Sequence, residues 1–163
     1  MAAKKPDTFD VFDIDPITAC QEGADLELKH PATNEPLGVF LVIKGQESDE
    51  FKDLVRKKTK LNARKGKGFR DRSDEDQAME IVEDLLAKKN AIEAATACTV
   101  GWWRFKDAEE RTGRIETMFF EKAEMPFDTA AAKRVFNARP WIAEQANSGI
   151  GDLGNFMRAK SKG

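Results

Sequence analysis

The sequence predicts an α+β fold: an N-terminal antiparallel β-hairpin or small sheet packed against several helices, with a helical C-terminus. Three patterns carry that prediction. Residues 24 to 30 alternate as Ala-Asp-Leu-Glu-Leu-Lys-His, which sets Leu26 and Leu28 on one side of a strand and the charged residues on the other. Leu37 to Lys44 is a run of branched and aromatic residues suited to a buried strand, and Pro31 to Pro36 between them has turn composition. Further along, apolar residues recur at helical spacing in three separate stretches.

Taken in order, residues 1–8 are polar and hold a proline, and are expected to form a flexible tail ahead of a single domain over 9–157. The hairpin follows, with Leu26 and Leu28 facing the core. Ser48-Asp49-Glu50 caps a first helix whose Phe51, Leu54, Val55 and Leu61 fall on one face, with an acidic start and a basic end that complement the helix dipole. Gly66 and Gly68 break it. Ser73-x-x-Asp76 is a variant capping box for a second helix running to about Cys98, its apolar face made by Ala78, Ile81, Val82, Leu85, Leu86, Ile92 and Ala95, with Lys88 and Lys89 at the rim. Val100 to Phe105 reads as a short turn or strand, since Gly101 disfavours helix and two tryptophans supply apolar area. Asp107 to Gly113 is a charged loop, and Ile115 to Glu121 a short strand without an assigned partner. Asp128 or Thr129 caps an alanine-rich helix ending near Ala138, and Pro140 opens the next one at a position where proline is tolerated. From there Ile142, Ala146, Ile150, Leu153 and Met157 form an amphipathic stripe, weakened by Gly149, Gly151 and Gly154 at about 1 kcal/mol each. A helix so weakened is a plausible docking element, and 158–163 is expected to be a flexible tail.

Composition bounds the function. A chain of 163 residues with 40% apolar and 34% charged residues buries a real core without disulfides or metals. Cys20 and Cys98 stand far apart with no C-x-x-C pair, which fits a reducing compartment and predicts no metal site. No stretch approaches the roughly 20 apolar residues that span a bilayer, so no membrane association is expected.

The motifs that hint at chemistry fail on context. Gly149-x-Gly151-x-x-Gly154 matches the dinucleotide fingerprint, but the segment before it reads as helix and nine residues follow, so the βαβ setting is missing and no cofactor is expected. A Walker A pattern through Gly66 and Lys67 requires glycine at 61 and Ser or Thr at 68, where Leu61 and Gly68 stand. The single histidine, His30, precedes Pro31 at a strand end with no triad around it. Asp107, Glu109 and Glu110 read as a solvated face. No catalytic residue is assigned, and the chain is read as a non-enzyme.

The least random charge feature lies between Arg56 and Arg72. Arg56, Lys57, Lys58, Lys60, Arg64, Lys65, Lys67, Arg70 and Arg72 face one acid, Asp71, a net +8. Total charge is −2, so the remainder carries −10 and the chain is strongly polarised. Such a patch could contact phosphates, but only Phe69 interleaves with it and no nucleic-acid-binding motif surrounds it. Nucleic acid is therefore kept as a rival partner and not the leading one.

The last third holds the most distinctive order of residues: Cys98-Thr99-Val100-Gly101-Trp102-Trp103-Arg104-Phe105, then Pro126-Phe127, then Arg139-Pro140-Trp141-Ile142-Ala143-Glu144-Gln145, and finally Ile150-Gly151-Asp152-Leu153-Gly154-Asn155-Phe156. A VGW segment after a helix, a PF turn, a PW-I-x-x-Q helix start and a G-D-x-x-N-F ending resemble the tail assembly chaperones of long-tailed bacteriophages. The resemblance covers roughly Thr96 to Phe156, with a looser echo in the hairpin; the basic segment and the Asp107 to Gly113 loop lie outside the pattern. It implies a non-enzymatic protein of the host bacterial cytoplasm, absent from the mature virion, that binds the tape measure protein, keeps it soluble and helps recruit tail tube subunits. A folding aid of that kind needs apolar surface that a partner or self-association can cover. Trp102, Trp103, Phe105, Phe119, Phe120, Trp141, Ile142, Ile150, Leu153 and Phe156 are the candidate partner-binding set. Two alternatives stay open: a structural tail or adaptor component of the virion, and a nucleic-acid-binding protein using residues 56–72.

Overall fold

The computed structural model describes residues 11–64, 74–87 and 91–161, and only the backbone of 62–64, 74 and 158–161. It is an α+β fold. After a 3-10 turn at Val11–Asp13 come α1 (Pro16–Glu22), β1 (Ala24–Lys29), β2 (Pro36–Ile43), α2 (Asp49–Arg64), α3 (Asp74–Leu86) and α4 (Ala91–Cys98). The chain continues through β3 (Thr99–Arg104), β4 (Thr117–Phe120), β5 (Ala123–Pro126), α5 (Thr129–Ala138), α6 (Pro140–Gly151) and α7 (Leu153–Ser161). Strands β1, β2 and β3 form an antiparallel sheet in that order, and β4 and β5 form a separate hairpin.

The expected hairpin is present, and His30 explains its turn. Its Nδ1 accepts the backbone N–H groups of Ala32 and Thr33 at 3.1 and 3.2 Å, while its own backbone pairs with Glu35 and Asn34. Leu28 is buried; Leu26 is half-buried against the core. Helix α2 begins as its sequence dictates: Ser48 Oγ accepts from Phe51 N at 3.3 Å and donates to the Gly45 carbonyl at 2.5 Å. Asp128 caps α5 by accepting from Ala131 N at 2.6 Å, and Pro140 is the first residue of α6.

The helical face of the sheet meets α6, and α4 lies against α6 in turn. Ala91, Ala94, Ala95 and Cys98 are all buried, and a helix with such small side chains allows axis separations near the short end of the usual range, about 8 Å. Gly149 of α6 allows a similar approach to the sheet: a Cβ there would stand 2.8 Å from Ile43 Cδ1 and 3.0 Å from Leu26 Cδ2. Close packing therefore accounts for this glycine of the G-x-G-x-x-G pattern. Trp102, Phe51, Phe136 and Phe156 are the largest fully buried side chains, each contributing about 1.5–3 kcal/mol of apolar burial.

Several sequence expectations are corrected. The second helix does not run to Cys98 as one piece: α3 ends at Leu86, with Ala87 N bonding back to Asp84 O, and α4 starts at Ala91. A single helix of that length would exceed about 30 Å, the diameter of a small domain. Asn147, buried in α6, donates to the Leu85 carbonyl at 3.0 Å and so satisfies one of the last acceptors of α3. The C-terminal stripe is likewise cut at Asp152, which takes Leu153 off the core face and leaves it exposed. Residues 158–161, expected as tail, continue α7. The Ile115 to Glu121 segment finds its partner in β5, so Pro126 of the expected turn ends a strand. The expected tail at 1–8, the Gly66 and Gly68 break, Ser73 of the capping box, and Lys88 and Lys89 fall outside the described residues.

Candidate partner-binding surfaces

Gly101-Trp102 and Pro126-Phe127, 24 residues apart in the chain, come together. Trp102 is 1% exposed; its Nε1 donates to the Met125 carbonyl at 2.8 Å, and its ring meets Phe127 edge to face at 5.0 Å. The contact joins the main sheet to the β4–β5 hairpin. Beside it β3 carries a bulge. Leu41 pairs with Trp102 and Ile43 with Thr99, so Val100 is one residue too many between two inward pairs. The bulge turns Val100 out to solvent and seats Thr99 in the interior, where its Oγ1 has no hydrogen-bond partner among the described residues.

Val100 stands on a groove of about 580 Å³ whose walls include Leu54, Ile92, Thr96, Ala97 and Phe127, with Glu93 and Lys133 at the edge. Glu93 is held by Lys58 at 2.6 Å. The groove is apolar with a polar rim, the form in which the apolar side of a helix is received.

The outer face of the sheet is aromatic. Phe40 and Trp103 stack with centroids 4.1 Å apart, and Phe105 stands edge-on to both at 5.3 and 5.4 Å. Arg114 lies over Trp103 at 4.6 Å and Arg111 over Phe105 at 4.9 Å, and Arg111 is fixed by Glu27 at 2.9 Å. Trp103 Nε1 donates to Asp25 Oδ1 at 3.2 Å. The 107–113 loop and its flanks thus roof this cluster.

The rest of the candidate set divides by burial. Ile142, Ile150 and Phe156 belong to the core with Trp102, and Trp103 is nearly covered. These side chains hold the fold together and offer no surface. Phe105, Phe120 and Trp141 are half-buried, and Phe119 and Leu153 are exposed. Trp141 borders a cleft of about 420 Å³ with His30 and Gln145. There Gln145 Nε2 donates to the Lys29 carbonyl at 2.7 Å while its Oε1 accepts from Lys29 N at 2.9 Å, a clasp on the end of β1.

Of the basic segment, Arg56 pairs with Asp53 at 2.7 Å and Lys58 with Glu93, while Lys57 and Lys60 are exposed on α2. Arg64 ends α2, its side chain undescribed; Lys65, Lys67, Arg70 and Arg72 lie outside the described residues. Sequence reasoning missed a run of exposed apolar residues among those described, Val11, Phe12, Ile14 and Ile17, at 76, 88, 44 and 55% exposure. Their interleaving with Asp10, Asp13 and Asp15 was the available signal.

Electrostatics make neither cysteine reactive. The Cys98 thiol is pushed up to about 12, chiefly by burial and then by the charge of Glu50, and burial also raises Cys20, so neither is a thiolate near neutral pH. Burial pushes the Glu50 carboxyl up, but hydrogen bonds from Lys44, its own backbone N–H and Gln21 outweigh it and hold it below the usual range. Among the described residues no three His, Cys, Asp or Glu side chains are grouped to hold a metal, and no helix is long and apolar enough to cross a membrane. Compared with protein-family models, with curated proteins and with solved structures, the chain matches none.

Proposed function

We propose that the chain is a tail assembly chaperone of a long-tailed bacteriophage: a non-enzymatic protein that binds the tape measure protein, keeps it soluble, and helps bring tail tube subunits to it in the host cytoplasm. The observation that carries this reading is the Trp102 contact with Met125 and Phe127. Two of the short motifs on which the resemblance rests are halves of one packing unit, so their order along the chain answers to a shared fold requirement. The groove next to that unit supplies a place for the client. A tape measure protein is long and largely helical, and the groove's apolar walls with Glu93 and Lys133 at the rim suit one face of an amphipathic helix.

Co-expression with the large helix-rich protein encoded just downstream, followed by affinity purification at low and high salt, tests the reading. The expected result is a client made soluble and retained in high salt, because an apolar contact is not screened. A client that stays insoluble, or a complex lost as salt rises, overturns it. Recovery of the chain from purified virions would make it a structural tail or adaptor component instead.

A further inference from the structure

One buried hydroxyl stands unanswered beside the apolar groove. Thr99 is 4% exposed, and its Oγ1 has no hydrogen-bond partner among the described residues. Taking a hydroxyl out of water without giving it a bond costs stability, so such a group needs a reason. Thr96, three residues earlier, shows the ordinary solution: its Oγ1 donates to the Ile92 carbonyl at 2.7 Å.

The backbone register makes Thr99 the more unusual. Leu41 pairs with Trp102 and Ile43 with Thr99 across the bulge. With regular alternation from Trp102, Val100 would be the inward residue and Thr99 would face out. The bulge therefore exposes a valine and buries a threonine, the reverse of what burial alone favours.

The groove supplies the reason. Of the described residues that line it, Thr99 alone is buried, while Leu54, Ile92, Ala97 and Phe127 make half-buried apolar walls. Its edge carries one spent charge and one unspent. Glu93 is held by Lys58 at 2.6 Å, whereas the Lys133 ammonium makes no ion pair among the described residues, which suits an occupant with a carboxylate at that edge.

We propose that Thr99 is the specificity-determining residue of this groove: on binding it turns about χ1, and its hydroxyl bonds a polar group set within the apolar face of the client helix, which carries an acid beside Lys133. The inference rests on the chaperone reading for the identity of the client and adds what selects the segment. A long helical client presents many apolar faces. One that is wholly apolar leaves the hydroxyl unmet, and one with a polar group at that place gains a bond that exists in the complex alone.

Competition for the client tests it. Native chain and variant, each with its own affinity tag, are expressed with a limiting amount of the helix-rich protein encoded downstream, and their ratio in the purified complex is read. Thr99→Val keeps the branched shape without the hydroxyl, and its share is expected to fall roughly tenfold, while Thr99→Ser stays within about threefold of the native chain. Denaturant unfolding of the chain alone is expected to move the opposite way, with Thr99→Val raising the folded-to-unfolded ratio by roughly fivefold or more. Lys133→Glu is expected to lower the share about two- to fivefold at low salt and less as salt rises.

Thr99→Val no more stable than the native chain, Thr99→Ser excluded as strongly as Thr99→Val, or Lys133→Glu with an unchanged share at low salt overturns the proposal. A native chain that captures no client overturns the chaperone reading, and this inference with it. Client captured equally by the native chain and Thr99→Val overturns this inference and leaves the chaperone reading standing.

Discussion

Two regions of this chain treat apolar side chains in opposite ways. Between Thr99 and Phe156 the aromatic residues look, in the sequence, like a surface waiting for a partner, yet Trp102, Phe136 and Phe156 are buried and Trp103 is roofed by Arg114. Between Val11 and Ile17 the chain carries Asp13 and Asp15 and no base, yet Val11 and Phe12 are among the most exposed apolar side chains described. Aromatic density thus marks where side chains are buried, and apolar residues diluted by like charge mark where they stay exposed. The physical reason is the cost of ordering: a stretch carrying two aspartates and no base cannot bury its apolar residues without taking charge out of water.

Mutation can break that contrast at its strongest point first. Trp102→Ala removes a fully buried indole and is expected to cost about 3–5 kcal/mol in denaturant unfolding. Trp102→Phe keeps much of the apolar area but removes the indole donor to the Met125 carbonyl, and is expected to cost less, about 1–3 kcal/mol. Gly45→Ala comes next. A Cβ at Gly45 would overlap Cys20 Sγ and stand 2.9 Å from Phe156 Cε2, so about 1–3 kcal/mol of overpacking is expected.

A pH series sharpens the same comparison. The Cys98 thiol titrates near 9.0 when unfolded and at about 12 when folded. Between those values the folded state binds the proton more tightly, so its contribution is complete below the lower value. It is lost as pH rises toward the upper one, at up to about 1.4 kcal/mol per pH unit. Cys98→Ala should flatten that part of the stability curve. At the other end of the scale, Phe119→Ser is expected to change the unfolding free energy by no more than about 0.5 kcal/mol, since the side chain is exposed. A larger loss there would mean that Phe119 supports the fold and that the division between the two regions is drawn in the wrong place.

How far the fold was legible depended on whether each element obeys a local rule. Ser48, Asp128 and Pro140 are local signals, and each stands at the helix start it announces. Strand β5 is different: of Ala123 to Pro126 only Met125 is even half-buried, so no alternation marks it. Its connection to β4 is a two-residue turn in which Glu121 and Lys122 have φ of 53° and 66°, a left-handed pair normally signalled by Asn-Gly or Asp-Gly. The break between α3 and α4 is set by tertiary packing, including Asn147 from a helix 62 positions away in the chain. For the candidate surfaces, the GW and PF motifs were visible singly, but their contact was not, and neither was the extra residue at Val100, because a bulge is a property of two strands.

Gln145 carries one more consequence. By giving Lys29 both a donor and an acceptor from a single side-chain amide, it makes the end of β1 look, to an approaching extended peptide, like a ladder already extended. A fourth strand added there would have to evict an amide that satisfies both main-chain groups at once. That end of the sheet is thereby guarded against growing by recruitment of a backbone template that would propagate toward cross-β fibre.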